Sequence, residues 1–524
     1  MILRIFSSES ILSGDQGTLE KIYEFFSFKD KAAESQIRRF KSGLFYKEKG
    51  LYNSDGELPA EYTEWKKTKL TALKDAVHVH ACRWTPGPHG TSKKDLIVPT
   101  GLLSSLVKYC TENRYAIELN DSREFSLTKK LLTGARPRAL RRPQEEALVL
   151  LKNKREIVDR GMGLIRLATG VGKTALAQEL IRHFGTKSIF LVPSLPILKQ
   201  TVKRFEKAFG SKYVKAFGCG KKQVGYITVA TYQSVYAADP EDFKDINLVI
   251  GDEAHHVAAD TFFEVMMVKL KAAVHRYGLS AWEKRADGST MLIEAAVGPV
   301  VYSYDAAEAI EDEYLARPTY IIYDVWKTRG KWTNYKIKDK KRVADRVHPS
   351  AEYDGPDDLK AYRNWVLGND FLNESVAGLV NAFVADGKSI LILVDEKEHG
   401  DRLMQLIPNA GYCIGGGVDN ERLQKEFNAR KLKVLIGTST LGEGADTVPV
   451  DVLIELQGGA SISKTLQADG RALRNDPDDN GVPRKPETLI IDFNFPLCKL
   501  LERHSKARET VHKSMGEVYH DKLT

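Results

Sequence analysis

Two short motifs, each placed directly after an apolar run, constrain the fold of this chain more than any other feature. The stretch at 167–174, Leu-Ala-Thr-Gly-Val-Gly-Lys-Thr, follows the run 163–167, and Asp-Glu-Ala-His at 252–255 follows the run 246–250. Apolar runs of this length that end in such loops predict buried parallel strands. We therefore expect a parallel sheet with ligand-binding loops at the carboxyl ends of its strands.

Alternating strand-like and helix-like segments continue this pattern over most of the chain after residue 136. Such alternation indicates parallel sheets covered by helices on both faces. The predicted fold class is α/β, with two parallel-sheet lobes and a small α+β N-terminal domain. The predicted strands are 163–167, 188–192, 225–229, 248–250, 275–279, 389–394, 434–436, 452–455 and 488–491.

Length and changes of composition set the expected domain organisation. A chain of 524 residues is too long for a single hydrophobic core. The part before residue 136 mixes aromatic and basic residues and lacks a nucleotide motif, whereas the part after residue 323 is polar and charged before the alternation resumes. The expected segments are an N-terminal accessory domain at 1–135, a first lobe at 136–323, a charged linker or insertion at 324–370, and a second lobe with a C-terminal helix at 371–524.

Composition excludes several classes of protein. No run approaches the roughly 20 consecutive apolar residues of a membrane helix, and the start of the chain lacks the features of a signal peptide, so a cytoplasmic location is the default expectation. The five cysteines are scattered without a CxxC pair, which argues against disulfide frameworks and structural zinc. The net charge is +8, and residues 1–140 hold 23 Lys and Arg against 17 Asp and Glu. This excess fits a polyanion partner, although a solvated basic face would have the same composition.

The glycine-rich stretch has the chemistry of a phosphate-binding loop. Glycine backbone lets N–H groups approach a triphosphate closely, and the helix that follows presents its positive end. Lys173 is expected to reach the β- and γ-phosphates, and the Thr174 hydroxyl is expected to help hold Mg²⁺. Leu167 stands where the GxxxxGK[ST] pattern has its first glycine. The predicted nucleotide-binding residues of this loop are Thr169, Gly170, Val171, Gly172, Lys173 and Thr174.

The acidic pair that follows the second apolar run fits magnesium binding and water activation. Asp252 is expected to bind Mg²⁺, and Glu253 is expected to orient and deprotonate the attacking water. The neighbouring His255 and His256 point apart on regular structure, so joint metal ligation is not expected. Together, the two motifs predict hydrolysis of a nucleoside triphosphate.

A third motif, in the second lobe, combines a glutamine with two arginines. Gln467, Arg471 and Arg474 are spaced i, i+4 and i+7, which places them on one face of a helix. A guanidinium suits the negative charge that develops on the γ-phosphoryl oxygens, so either arginine could act as an arginine finger. A solvated basic stripe is the alternative. The preceding Thr-Ser-Thr-Leu-Gly-Glu-Gly-Ala-Asp at 438–446 favours the nucleotide interpretation.

The ordered set of motifs resembles that of superfamily 2 helicases and translocases. It includes the phosphate loop, Asp-Glu-Ala-His, the arginine motif and four further stretches, and it spans roughly residues 138–495. The further stretches are Val-Pro-Ser at 192–194, Ala-Thr-Tyr-Gln-Ser at 230–234, Gly-Leu-Ser-Ala at 278–281 and Gly-Glu-Gly-Ala-Asp at 442–446.

The resemblance implies two RecA-like lobes that bind ATP and Mg²⁺ and carry a nucleic-acid strand. It implies that Gln144 reads the adenine and that Gly444 and Asp446 lie in the nucleotide site. Trp282 and Glu283 depart from the common GLSATP sequence of the family, and Pro143 replaces the aromatic that is common before the glutamine. Contacts to the sugar-phosphate backbone are implied for Pro193, Ser194, Thr231, Gln233, Thr438 and Ser439.

Within the superfamily, the leader resembles that of phage UvsW-type branch-migration helicases. The shared stretches are Phe-Phe-Ser-Phe at 25–28 and Leu-Ile-Val-Pro-Thr-Gly-Leu at 96–102. This resemblance implies a phage enzyme that remodels forks, D-loops or Holliday junctions in DNA replication, recombination or repair. It further implies a monomer that acts in the host cytoplasm and does not associate with a membrane. Arg329, Trp332 and Lys336, in a segment that interleaves cations and aromatics, are further expected DNA contacts.

Three alternatives to that function stay open. The motor motifs equally fit a duplex-DNA translocase of a restriction or repair complex, and they fit an RNA helicase. A binding module switched by ATP is the third, although Glu253 and both arginines form a hydrolytic set that such a module does not need.

Overall fold

The computed structural model describes most of both lobes and part of the leader. The described residues are 1–29, 78–85, 95–125, 139–153, 160–218, 220–253, 259–281, 290–326, 331–338, 341–349, 358–414, 417, 419–438, 450–475 and 485–523. Within these ranges, no helix is both long enough and apolar enough to cross a membrane.

The chain divides into two compact units. The first contains residues 1–167 and 174–303, and the second contains residues 168–173 and 304–524. The short phosphate-loop segment is thus grouped with the second half of the chain.

The main sheet of the first unit has eight strands in the described residues, and its central strands run parallel. Its middle strands are buried over almost their whole length, as expected for a sheet with helices on both faces. In sheet order the strands are Lys221–Lys222, Val214–Gly218, Ile227–Thr231, Ser188–Val192, Leu248–Asp252, His275–Ser280, Met162–Leu167 and Val300–Tyr304. The helices are Arg142–Asn153, Lys173–Phe184, Leu195–Phe209, Tyr232–Tyr236, Ala259–Glu264 and Thr290–Val297, with a π-helical turn at Val265–Lys269.

The leader forms a mixed five-stranded sheet with one parallel and three antiparallel pairings, which agrees with the predicted α+β class. In sheet order its strands are Arg83–Trp84, Leu96–Pro99, Glu9–Ser13, Ile2–Ile5 and Glu118–Asp121, and its helices are Gln16–Phe25 and Leu103–Glu112. A short pair, Ser27–Lys29 with His78–His80, lies beside it.

The leader shares its hydrophobic core with the first lobe. Leu292 and Ala295, from the helix Thr290–Val297, are buried among the leader's apolar residues. Ser105 donates a hydrogen bond of 2.8 Å to Glu294, and a Cβ built on Gly101 would lie 2.2 Å from the Glu294 carbonyl oxygen. The leader and lobe therefore pack so closely that only glycine fits at position 101.

A buried arginine makes a second link between the leader and the first lobe. Arg276 is fully buried in its strand and donates to the carbonyls of Met266, within the π-helical turn, and of Leu270, directly after it. Its Nε donates to the Ser7 carbonyl oxygen at 3.3 Å. One guanidinium thus satisfies backbone carbonyls in two distant parts of the sequence.

The second unit is built on a seven-stranded sheet in which all pairings are parallel. Its strands, in sheet order, are Gly411–Cys413, Val434–Gly437, Ile390–Val394, Val452–Leu456, Glu487–Asn494, Arg317–Asp324 and Glu517–Lys522. Its helices are Ala306–Glu311, Asp358–Tyr362, Asp370–Ala385, Lys397–Leu406, Asn420–Asn428, Ile462–Ala472 and Lys499–Lys513, with a π-helical turn at Arg363–Leu367.

One expected domain limit falls inside a strand, and the expected linker or insertion contains a hairpin. The strand Arg317–Asp324 pairs with Glu487–Asn494 in the second sheet, so the limit expected at residue 323 falls inside a strand of that sheet. The segment expected as a charged linker contains an antiparallel hairpin, Lys331–Lys338 with Lys341–Pro349. The strand Arg317–Asp324 was not predicted as part of the second sheet because its partner strands lie far away along the chain.

Candidate nucleotide site

The predicted nucleotide motifs of the first lobe follow strands of one parallel sheet. The strand Leu248–Asp252 lies between Ser188–Val192 and His275–Ser280, and Met162–Leu167 is the next strand along. Because these strands are parallel, their carboxyl ends share one edge of the sheet, the edge where open α/β sheets bind ligands. The acidic pair, Pro193 and Ser194 all follow at this edge, as does the phosphate loop along the chain.

The phosphate loop has the backbone that its glycines predict. Gly170 and Gly172 have φ angles of 91° and 100°, in the region that favours glycine. The Val171 N–H donates to the Ala168 carbonyl oxygen at 3.3 Å, which closes the turn. Lys173 is the first residue of the helix that follows, so the loop leads directly to a helix N-terminus.

The acidic pair makes an unusual turn at the end of its strand. Asp252 is the last residue of its strand, and the Glu253 N–H donates to Asp252 Oδ1 at 3.1 Å. Glu253 has a φ angle of 48°, which is uncommon for a residue with a side chain and costs about 1–3 kcal/mol. Residues 254–258, including His255 and His256, lie outside the described residues.

Tyr232 supports this turn through a hydrogen bond, a role that the sequence motifs did not predict. It is completely buried, and its hydroxyl donates to the Asp252 carbonyl oxygen at 3.0 Å. A Cβ built on Gly251 would lie 2.6 Å from the same hydroxyl, so position 251 has room only for glycine. Burial, and then the charges of Asp252 and Glu253, raise the pKa of Tyr232 well above its usual value. The glycine directly before the acidic pair was the one feature of the sequence that indicated a close contact at this turn.

The arginine motif is only partly helical. Gln467 and Arg471 lie on the helix Ile462–Ala472, and Arg471 is buried. The prediction that Arg474 shares a face of this helix is wrong, because Leu473 caps the helix and Arg474 forms an isolated β-bridge with Leu315. The Ala316 N–H donates to the Leu473 carbonyl oxygen at 2.8 Å, which directs the chain away from the helix axis.

In the second compact unit, the phosphate loop packs against this arginine motif. A Cβ built on Gly470 would lie 2.7 Å from the Cβ of Thr169, and a Cβ built on Gly170 would lie 3.4 Å from the Cγ of Arg474. Gly470 therefore permits close approach to the phosphate loop, and the aliphatic stem of Arg474 lies in ordinary van der Waals contact beside that loop.

Gln144 and Thr231 are engaged locally. The Gln144 Oε1 atom accepts a 2.9 Å hydrogen bond from the Arg141 N–H, and its side chain is buried. The Thr231 hydroxyl accepts from the Ser234 N–H at 3.2 Å and so caps the helix Tyr232–Tyr236. An adenine contact for Gln144 and a nucleic-acid contact for Thr231 stay predictions.

The other predicted nucleic-acid contacts differ in how far the structure describes them. Gln233 is exposed, Pro193 and Ser194 are half-buried, and Thr438 is buried. Ser439, Gly444, Asp446 and Arg329 lie outside the described residues, and only the backbone is described for Trp332 and Lys336. Thr174 is the second residue of its helix and is half-buried.

A buried hydrogen-bond chain supports a strand end in the second sheet. The Asp395 N–H donates to Tyr362 Oη at 3.1 Å, and Tyr362 Oη lies 2.6 Å from His399 Nδ1. His399 Nε2 lies 2.7 Å from Asn373 Oδ1, while the Asn373 amide nitrogen donates to the Asn369 carbonyl oxygen at 2.7 Å. These partners assign His399 as a neutral ring with its proton on Nε2. Burial lowers its pKa to about 3.

Two family models match this chain. The model described as the type III restriction enzyme res subunit matches residues 138–285, and the helicase conserved C-terminal domain matches residues 374–476. The chain is 27% identical over 412 residues to the DNA 3'-5' translocase XPB2 of Sulfurisphaera tokodaii, covering 74% of this chain and 87% of that protein. It is 25% identical over 389 residues to the putative mitochondrial ATP-dependent helicase irc3 of Schizosaccharomyces pombe, covering 70% and 58%.

Two solved structures are similar to this chain, and the first of them has a matching fold. A fragment of a putative HsdR subunit of a type I restriction enzyme from Vibrio vulnificus YJ016 superposes with a TM-score of 0.53 at 16% identity, covering 80% of this chain and 73% of that one. T4 UvsW superposes with a TM-score of 0.41 at 15% identity, covering 100% of both chains.

The predicted fold class, two RecA-like parallel-sheet lobes with a small α+β N-terminal part, is confirmed. Both matched models occur in the order that the motifs predicted. Both matched models, together with relatives named as helicases and as a DNA translocase, support an ATP-dependent superfamily 2 helicase, that is, an enzyme that hydrolyses ATP.

Proposed function

We propose that this helicase acts on DNA and uses ATP and Mg²⁺ to remodel branched substrates such as forks, D-loops and Holliday junctions. The observation that carries the motor part is the sheet edge where the phosphate loop and the pair Asp252 and Glu253 follow parallel strands. The similarity to a protein named as a DNA translocase supports DNA as the track.

The residues of this edge fit a magnesium triphosphate. Gly170 and Gly172 turn the loop backbone in conformations that favour glycine, and Lys173 begins the helix behind it. Thr174 and Asp252 are the residues that would hold Mg²⁺, which when bound neutralises phosphate charge. Glu253 would orient the attacking water and accept its proton.

The two arginines have different proposed tasks. Arg471 is buried in its helix, whereas the stem of Arg474 lies beside Gly170 in the phosphate loop. Arg474 is therefore the better candidate for the arginine finger, and Arg471 and Gln467 would position the γ-phosphate from the helix. Arg474→Ala should lower turnover more than ATP affinity, because a finger acts mainly in the transition state.

Branched DNA as the preferred substrate rests on the leader. Its sequence resembles the leader of branch-migration helicases, and its sheet shares a core with the first lobe through Leu292 and Ala295. A leader fixed to the motor in this way can report on the shape of the DNA that the motor grips. For the same reason, deletion of residues 1–135 would expose part of the first lobe and is a poor test.

Translocation along duplex DNA without strand separation is the second candidate. The match to the res subunit of type III restriction enzymes over residues 138–285 favours it. This candidate predicts a motor that responds to linear duplex as strongly as to a junction.

The experiment that separates these candidates measures the ATPase rate at one fixed salt concentration. The substrates are no nucleic acid, single-stranded DNA, single-stranded RNA, linear duplex, a fork and a four-way junction. Branched-DNA remodelling predicts the highest rate with the fork and the junction, and physical displacement of their strands. Equal stimulation by linear duplex would replace it with the duplex-translocase candidate, and strongest stimulation by RNA would exclude both.

Glu253→Gln provides the control for the motor itself. We expect its ATPase rate to fall at least about 100-fold with nucleic-acid binding retained, as for loss of a general base. Glu241→Gln is the matched variant, because Glu241 is exposed on the same lobe and pairs only with Lys244 among the described residues. Wild-type turnover in Glu253→Gln would contradict the assignment of the nucleotide site.

A further inference from the structure

A cluster of polar side chains is buried between the second sheet and two helices. Glu455 and Asp492 come from the strands Val452–Leu456 and Glu487–Asn494, and Asp469 and His512 come from the helices Ile462–Ala472 and Lys499–Lys513. Their exposed fractions are 3%, 1%, 0% and 0% in the same order. No proposed step of ATP hydrolysis uses these four residues.

The topology brings these residues to one point. Ile454 is aligned with Ile491 in the parallel pair, so Glu455 and Asp492 follow at adjacent positions of neighbouring strands. One carboxylate oxygen from each of Glu455 and Asp492 and one ring nitrogen of His512 all lie within 4.8 Å of one another.

The distances at His512 are too long for hydrogen bonds but suit donors that share an ion. His512 Nε2 lies 3.8 Å from Glu455 Oε2 and 3.7 Å from Asp469 Oδ2. Donors around one tetrahedral metal at about 2.0–2.2 Å lie roughly 3.3–3.6 Å apart, so a shift of a few tenths of an ångström would complete the geometry.

Several polar atoms of the cluster have no hydrogen-bond partner within the described part of the chain. They are both ring nitrogens of His512, Oε2 of Glu455 and Oδ1 of Asp469. The ring of Tyr320 stacks on the His512 ring with centroids 4.3 Å apart, which holds the imidazole in place. A buried imidazole without partners is costly, so a further group should satisfy it.

The charge of the cluster also requires a partner. Three carboxylates face one cation, Arg508, which donates to both oxygens of Asp492 at 2.9 and 2.8 Å. Fully ionised, the group carries two uncompensated negative charges away from water. Either protons or a divalent cation must therefore neutralise the cluster.

We propose that Glu455, Asp492 and His512 bind one divalent transition-metal ion, of the Zn²⁺ or Mn²⁺ kind, with Asp469 as a fourth donor. One imidazole with carboxylates suits such ions, whereas Mg²⁺ prefers oxygen ligands and retained water. Tyr320 donates a hydrogen bond to Asp469 Oδ2 at 3.2 Å, and Arg508 donates hydrogen bonds to Asp492. Metal ligands in proteins are commonly oriented by such additional hydrogen bonds.

One ligand of the proposed site borders a cavity. Glu455 and Arg508 also line a cavity of about 310 Å³ whose wall includes Asp395, Gly458 and Lys464. Acidic groups at the cavity wall would attract a cation toward the cluster.

The ion would tie the arginine motif to the second sheet. Asp469 lies one residue before Gly470 and two before Arg471, on the helix that carries both. A metal bridge from Asp469 to two strands and the last helix would fix the orientation of that helix. The metal would be structural and separate from the Mg²⁺ of the nucleotide site.

The test uses the untagged full-length chain, treated with EDTA and titrated with Zn²⁺, Mn²⁺ and Mg²⁺ in the absence of nucleotide. Bound metal is counted by mass spectrometry, and the melting temperature is recorded. We expect about one equivalent of Zn²⁺ or Mn²⁺ per chain and a rise in melting temperature of roughly 5 °C or more. Mg²⁺ should give neither.

Three variants locate the ion. His512→Gln and Glu455→Gln should bind the metal at least about tenfold more weakly, and His520→Gln is the control, because that histidine is half exposed beside Glu509. If His512→Gln does not fold, metal binding by Glu455→Gln and by the wild-type chain still tests the proposal. Absence of stoichiometric metal and of a thermal shift in the wild-type chain would overturn the proposal, and so would unchanged binding in Glu455→Gln.

Discussion

The two α/β sheets support their strand-end loops by different means. In the first sheet, Gly251 and Tyr232 support the acidic pair through close steric fit and one hydroxyl. In the second sheet, buried polar groups lie behind the loops: Arg508 donates to Asp492 and to the Gly459 carbonyl oxygen, and His399 is part of a hydrogen-bond chain that reaches Asp395. We therefore expect an added side-chain volume in the first sheet to reduce activity. In the second sheet we expect removal of a buried charge, or protonation of a buried group, to reduce stability.

Loss of the buried cation in the second sheet should have the largest effect. Arg508→Met leaves Asp492 without its ionic partner, at an expected cost of about 3–5 kcal/mol in the free energy of unfolding. Arg422→Met is the control, since Arg422 is exposed and pairs with Asp419 and Glu426 on the surface. Chemical denaturation measures both, and a change below about 1 kcal/mol in Arg508→Met would remove the contrast between the sheets.

Added volume in the first sheet should affect turnover more than folding. Gly251→Ala places a methyl group 2.6 Å from the Tyr232 hydroxyl, so the acidic pair must move, and the ATPase rate should fall about 10- to 100-fold. Gly378→Ala is the matched control, because a Cβ there meets nothing within 4 Å. Equal ATPase rates in the two variants would show that the fit around Gly251 does not position the catalytic groups.

A pH dependence should mark the second sheet. His399 is buried as a neutral ring with a pKa of about 3, below its unfolded value, so stability should be lost as pH falls from about 6.5 toward 3. The expected loss from this residue is about 2 kcal/mol at pH 5, since each pKa unit corresponds to 1.36 kcal/mol. His399→Gln should flatten the unfolding profile between pH 6.5 and 5. An identical profile in that variant would assign the acid sensitivity to other groups.

The smallest effect should come from one hydroxyl in the first sheet. Tyr232→Phe keeps the buried ring but removes the hydrogen bond to the Asp252 carbonyl oxygen, with an expected cost of about 0.5–1.5 kcal/mol. We expect a fewfold decrease in kcat with little change in KM for ATP. An increase in KM alone would mean that Tyr232 supports nucleotide binding and not the position of Glu253.

The same contrast explains what the sequence could predict. The strand Ser188–Val192 was predicted to the residue, because a short apolar run with a polar residue before it and a proline after it leaves little choice of limits. Arg474 was placed on a helix that ends at Ala472, because a bridge to the distant Leu315 redirects the chain. The cluster of Glu455, Asp469 and His512 has no local spacing to detect, since three separate elements bring it together.

Arg276 and the shared core of the leader have a consequence for synthesis of the chain. The leader is translated before the first lobe, yet Leu292 and Ala295 of its core and the arginine that binds the Ser7 carbonyl are translated much later. Its sheet therefore cannot complete its packing until synthesis has reached Ala295. The leader should wait, incompletely folded and open to chaperones, for the end of the first lobe.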